Sequence, residues 1–180
     1  MYGMIHRGLR AMVVDELGEA AWLDLEHDAS IGPAELISGL VYDDAVTAKV
    51  VAAVARALKL SVEECLKRFG RYWVGFAKQG PYGDIMDFVG RDIAGFIENL
   101  DRLHQNVTMV MPKAIVPSFS VIEKTPGHLR VAYSSPRTDL EPFVIGLLHG
   151  IMEMFSMTGE VRQNLAGNDT REFLVTFQGG

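Results

Sequence analysis

At Met111 the spacing of apolar residues changes from one period to another, and only a mixed fold accommodates the switch. Before it, apolar side chains return every three or four positions, as in Ile93, Phe96, Ile97, Leu100, Leu103, Val107 and Val110. Pro112 and Pro117 then interrupt the chain by removing backbone donors. Beyond them Phe119 and Val121 alternate with Ser118 and Ser120, and Leu129, Val131 and Tyr133 alternate with Arg130 and Ala132. The first spacing is one stripe of a helix and the second one face of a strand. Thr125-Pro126-Gly127 supplies a turn, so the two alternating runs read as a β-hairpin. Helical spacing resumes from Leu140 to Phe155, and two short strands, Val161–Leu165 and Glu172–Phe177, follow. A helical N-terminal lobe thus precedes a C-terminal lobe with a helix and a four-stranded antiparallel sheet, which is the α+β class.

The N-terminal lobe divides at its own punctuation. Tyr2–Leu17 reads as a helix stopped by Gly18, Glu19–Ala29 as a second one, and Gly32-Pro33 as a break. Asp43–Leu58 is rich in alanine and valine, which allows close helix contacts. Ser61 followed by Glu64 has the spacing of a capping box and begins a fourth helix through Phe69, Tyr72, Trp73 and Phe76 to Gly80-Pro81. Asp84–Val89 is a short helical piece, and Asp92–Met111 reads as one longer helix.

Composition removes several classes of function. The 180 residues suffice for one domain, with a distal lobe of about 1–90 and a proximal lobe of about 91–180. A formal charge of −6 without a basic stripe argues against nucleic acid as a partner. Cys65 is the only cysteine, so an internal disulfide and a multi-cysteine metal site are excluded. No apolar run reaches the roughly 18 to 20 residues of a membrane span. A cytoplasmic protein without membrane insertion is expected.

Two groups of residues carry chemistry. His104 lies seven residues after Ile97 and four after Leu100, so it shares their apolar helix face. A neutral imidazole there has a ring nitrogen acceptor in need of a partner, and either a core hydrogen bond or an iron or zinc ion could serve. Tyr133, Ser135 and Arg137 stand at alternate positions, which in an extended segment puts a phenol, a hydroxyl and a guanidinium on one side. Such a set suits a carboxylate, although alternating polar residues also describe a solvated strand face. An apolar slot, an inward histidine and carboxylate donors at the rim are together the requirements of haem. Of the other histidines, His6, His27 and His128 are expected at the surface, and His149 to be partly buried.

At Asn99-Leu100-Asp101-Arg102-Leu103-His104, Pro117, Tyr133-Ser134-Ser135-Pro136-Arg137 and Gly146-Leu147-Leu148-His149-Gly150 the sequence resembles the haem nitric oxide/oxygen-binding (H-NOX) family, related to the haem domain of soluble guanylate cyclase. The resemblance spans nearly the whole chain. It implies haem b between the two lobes, His104 as the proximal iron ligand and Tyr133, Ser135 and Arg137 on the propionates. It further implies that Pro117, Ile5 and Leu147 pack against the porphyrin, although each of them is equally accounted for as ordinary core.

Family members that hold oxygen stably use a distal tyrosine in a polar network. The matching positions here are Phe143, Leu9 and Trp73, which offer no phenol or amide. The resemblance therefore implies a bacterial stand-alone sensor, not an enzyme, that binds nitric oxide and also CO. Its output would pass in trans to a sensor histidine kinase or to a cyclic-di-GMP enzyme, either a diguanylate cyclase or a phosphodiesterase. The alternatives are an oxygen-binding haem sensor, a haem enzyme of peroxidase or dioxygenase type, and a haem-free binder of an apolar ligand.

Overall fold

A computed structural model describes residues 1–80, 83–164 and 171–179; Pro81 of the expected break and Leu165 of the expected strand lie outside that range, as does the phenol-bearing Tyr82. The helical lobe begins with α1 (Gly3–Leu17) and α2 (Glu19–Ala29), followed by a single 3-10 turn at Pro33–Leu36 that the sequence did not announce. In α3 (Asp44–Leu58) the Asp43 carboxylate caps the first turn by accepting the Ala45 N–H at 2.8 Å. The capping box expected for α4 (Val62–Gln79) is present. Ser61 Oγ accepts the Glu64 N–H at 3.2 Å, and Glu64 Oε2 accepts the Ser61 N–H at 2.9 Å.

The helix expected from Asp92 to Met111 is two helices, after a short α5 (Gly83–Val89). They are α6 (Ile93–Glu98) and α7 (Leu100–Val110), separated at Asn99. Asn99 Nδ2 donates to the Gly95 carbonyl at 2.7 Å, and the residue takes φ −97° and ψ 1°. A short amide side chain that bonds its own helix backbone competes with the ladder, which is why the break falls there.

Strands β1 (Ser118–Thr125) and β2 (His128–Ser134) form the expected hairpin. Gly127 at its tip has φ +77°, a left-handed value that a side chain would strain. Helix α8 (Glu141–Met154) leads to β3 (Met157–Asn164), which starts four residues before the apolar pattern indicates, and to β4 (Arg171–Gly179). The sheet is antiparallel throughout in the order β1-β2-β4-β3, so the fold is α+β.

Two apolar cores result. Leu9, Met12, Trp22, Val50, Val54 and Phe69 fill the helical one, and Phe96, Ile97, Val131, Leu148, Ile151 and Phe173 the one against the sheet. Helices α4 and α8 serve both, because Phe69 and Phe143 join the first core while Val74, Val144 and Leu148 join the second. They cross with their backbones in contact. A Cβ on Gly70 would stand 2.1 Å from the Phe143 carbonyl oxygen, and one on Gly146 would stand 1.9 Å from that of Lys67. Only glycine fits at either place.

His6 departs from its expected surface position. It is fully buried, with Nε2 2.8 Å from Thr47 Oγ1. The residue shares a helix face with Leu9 and Val13 by spacing, so the α1 stripe carries it inward, and α3 supplies a polar partner.

Candidate functional site

His104 projects from α7, half-buried, with its ring centroid 6.3 Å from that of Phe119. Its Nδ1 is 2.9 Å from the carbonyl oxygen of Pro117. A carbonyl can only accept, so the proton sits on Nδ1 and the lone pair on Nε2. Burial holds the ring below the ordinary histidine value, against the opposing pull of the Pro117 carbonyl and of Asp101, which favours the neutral form. A neutral histidine with one nitrogen tied to a carbonyl has the second-sphere hydrogen bond that orients the ring of a metal-binding histidine.

Asp101, three residues earlier on the same helix face, places that carbonyl. Its Oδ1 accepts the Phe119 N–H at 2.9 Å and its Oδ2 the Ser118 hydroxyl at 2.5 Å, which fixes the start of β1 against α7. Sequence reasoning missed this role, although the i, i+3 spacing to His104 signalled a shared face.

Tyr133 is buried beside Phe119, their ring centroids 5.2 Å apart, so His104, Phe119 and Tyr133 form a row of rings. Burial pushes its phenol up, opposed by a hydrogen bond with the Ser135 side chain and by the charges of Arg171 and Arg137. The triplet is not one strand face, because β2 ends at Ser134 and Pro136 cannot continue the ladder. Instead Ser135 Oγ accepts the Arg137 N–H at 3.2 Å. Arg137 Nε donates to Asp44 Oδ2 at 3.0 Å and Nη1 to the Ile115 carbonyl at 2.8 Å, so the guanidinium reaches from the sheet lobe to the first turn of α3. The Met1 amine bonds the same Asp44 carboxylate at 2.8 Å. These cations hold Asp44 below the usual carboxylate range, the amine hydrogen bond first and Arg137 after it, against the desolvation that raises it.

The remaining sequence-marked residues lie where α1, α4 and α8 meet. Leu9 is fully buried in the helical core, with Ile5, Trp73 and Phe143 half-buried against it. Leu147 packs instead on the sheet-side core. Phe69 stands 5.8 Å from Trp73 and 5.5 Å from Phe143 between ring centroids. Tyr72, whose direction the sequence left open, gives its hydroxyl to Asp15 at 2.6 Å and so points to the outer side of α1. Two open surface grooves, of about 410 Å³ beside Leu66 and Ile145 and about 320 Å³ beside Leu129 and Phe177, contain none of these side chains.

Over residues 2–163 the sequence matches the haem-NO-binding family. The chain belongs to that family. Among curated relatives is the soluble guanylate cyclase gcy-33 of Caenorhabditis elegans, 28% identical over 155 residues, covering 86% of this chain and 16% of that one. Guanylate cyclase soluble subunit beta-2 of Rattus norvegicus is 32% identical over 111 residues, covering 62% and 16%. The chain therefore spans less than a quarter of the length of these relatives.

The fold is shared with the H-NOX protein from S. oneidensis in the Fe(II)NO ligation state, at TM-score 0.84 and 23% identity over 99% of this chain and all of that one. It is shared too with the unliganded Fe(II) H-NOX protein from K. algicida, at TM-score 0.80 and 19% identity over 100% and 98%.

The residues of this chain fit the group that the family name implies. Among the described residues no cluster of three or more His, Cys, Asp or Glu could cage a bare metal ion. One oriented histidine would suit an iron whose remaining ligands come with a macrocycle. Two of the five N–H donors of Arg137 are engaged, so three remain for an anion. No helix among the described residues is long and apolar enough to cross a membrane.

Proposed function

We propose that the 180 residues form one sensor unit, its lobes at about 1–90 and 91–180, that takes nitric oxide or CO at a ferrous haem b between them. The carrying observation is the His104 ring, whose Nδ1 proton goes to Pro117 and whose Nε2 lone pair is left for iron. Tyr133, Ser135 and Arg137 hold the propionates, while Pro117, Ile5 and Leu147 pack on the macrocycle. When bound, haem would supply a ferrous iron able to take a diatomic gas. The rest follows from the side chains.

On the gas side Leu9 and Phe143 have no hydrogen-bond donor. Trp73 carries an indole N–H, but no hydroxyl or amide of a partner orients it among the residues that make the site. Oxygen acquires negative charge on binding and needs a donor, whereas nitric oxide does not. The same apolar positions disfavour a peroxidase or dioxygenase, which would want an acid or base there. The reading is therefore a nitric oxide sensor that performs no catalysis.

Its signal passes in trans, in a bacterial cytoplasm, to a histidine kinase or a cyclic-di-GMP enzyme, on the strength of the family resemblance. A sensor moves only an equilibrium whose two states it distinguishes. Here the distinguishing contact is Nε2 of His104, and α7 passes any change to β1 through Pro117 and Asp101.

The test is the absorption spectrum of the purified ferrous protein with NO, with CO and in air. Both NO and CO should move the Soret band, and air should leave no lasting gas spectrum. A persistent oxygen spectrum would overturn the nitric oxide selectivity, and absence of any Soret band would overturn the haem reading in favour of a haem-free apolar binder.

A further inference from the structure

Arg171 belongs to no motif of the sequence, yet three of its contacts converge on the segment from Tyr133 to Arg137. It opens β4 in register with Tyr133. Its Nη1 donates to the Arg137 carbonyl at 2.7 Å, its Nε pairs with Glu141 Oε1 at 2.8 Å, and its Cζ stands 5.9 Å from the Tyr133 ring centroid. The Arg171 and Glu141 side chains are only 23% and 18% exposed, so the pair is sheltered from water. One cation thus touches both ends of the segment and the first residue of α8, the helix of Phe143 and Leu147.

The segment needs such a support. Among the described residues it has no strand neighbour beyond Ser134, and Pro136 brings no N–H to a ladder. Ser135 Oγ takes the Arg137 N–H and Arg171 gives to the Arg137 carbonyl, so both backbone polar groups of Arg137 are fixed. The planar fork of Arg171 serves Glu141 and the carbonyl at once, which a lysine ammonium cannot do in the same geometry.

We propose that Arg171, held by Glu141, is a positioning residue for the propionate clamp and ties that clamp to the start of α8. It touches Tyr133 and Arg137 of the clamp, and the proposal rests on the haem reading above.

The test compares Arg171→Gln, Arg171→Lys and Glu141→Gln with Arg162→Gln, a substitution at an arginine whose side chain is 76% exposed. In the haem-loaded protein, transfer of haem to excess apomyoglobin should speed up roughly tenfold in Arg171→Gln. Glu141→Gln should speed it less, Arg171→Lys should not restore it, and Arg162→Gln should match wild type. The propionate bending bands of the resonance Raman spectrum should move in Arg171→Gln while the iron–histidine band stays, a split that general loosening would not give.

In the haem-free protein, amide hydrogen exchange at Arg137 should quicken in Arg171→Gln and in Glu141→Gln. Should Arg171→Gln not fold, Glu141→Gln decides by the same measurements, since it leaves Arg171 in place but unheld. Wild-type exchange at Arg137 together with wild-type haem transfer would overturn the proposal. A wild-type protein that takes no haem, with exchange still quickened in the variants, would overturn the haem reading and leave the positioning role standing.

Discussion

The two sides of the candidate site are built by opposite means. On the side of α7 every functional group is fixed by a directed bond: His104 by Pro117, the start of β1 by Asp101, and Arg137 by Asp44 and Ile115. On the side of α1, α4 and α8 the same task falls to packing among Leu9, Phe69, Trp73 and Phe143. Directed bonds specify an orientation and tolerate few replacements. Packing specifies a volume, and a side chain of similar size can take the place of another. On the proposed reading, anchoring resides in chemistry that is present, and selectivity in chemistry that is absent.

The sharpest way to break that contrast is on the anchored side. His104→Gly should abolish the iron–histidine band outright, and added imidazole should bring it back, because Pro117 still presents its carbonyl. An unchanged spectrum would remove His104 from the ligand position. On the packed side a single hydroxyl should shift selectivity without loss of fold. Phe143→Tyr should raise oxygen affinity by roughly ten- to a hundredfold, the worth of one hydrogen bond of about 1.5–3 kcal/mol to a charged group. Gas titration of the ferrous protein reads it, and an unaltered oxygen affinity would mean that the residue does not face the gas.

The smallest effect tests how dry the helical core is. Burial pushes the Cys65 thiol up to about 11, with the Glu16 charge adding to it and Arg68 opposing. A folded-state value above the ordinary 9.0 means that this group's contribution to stability is intact below pH 9 and is lost as pH rises through about 11. At pH 8 a thiol reagent should accordingly label Cys65 only as fast as the protein unfolds. Labelling at the rate of a free thiol would show the packed side to be open to water.

Much of this arrangement is legible in the sequence, where periodicity speaks. The spacing along α7, the switch at Pro112 and the hairpin turn give the fold class, because burial of apolar side chains decides it and apolar side chains are visible as a pattern. His6 was misplaced for the opposite reason. A histidine on an apolar stripe is buried when a distant partner exists, and Thr47 is 41 residues away. Arg171, Glu141, Asp44 and Asp101 escape notice in the same way, since an ion pair or hydrogen bond between distant elements leaves no periodic mark in the sequence. Asn99 shows the local limit, because its amide interrupts a helix whose apolar period runs through without a gap.

Side chains at most helix contacts can take up a small displacement by changing rotamer. Where Gly70 and Gly146 bring α4 and α8 together, the touching surfaces are peptide groups, which have no rotamers to change. That crossing has almost no compliance. A force on Phe143 or on Trp73 is therefore transmitted from one core to the other as the motion of a rigid bar rather than absorbed as a rearrangement, and the two lobes share a stiff axle whichever side is pushed.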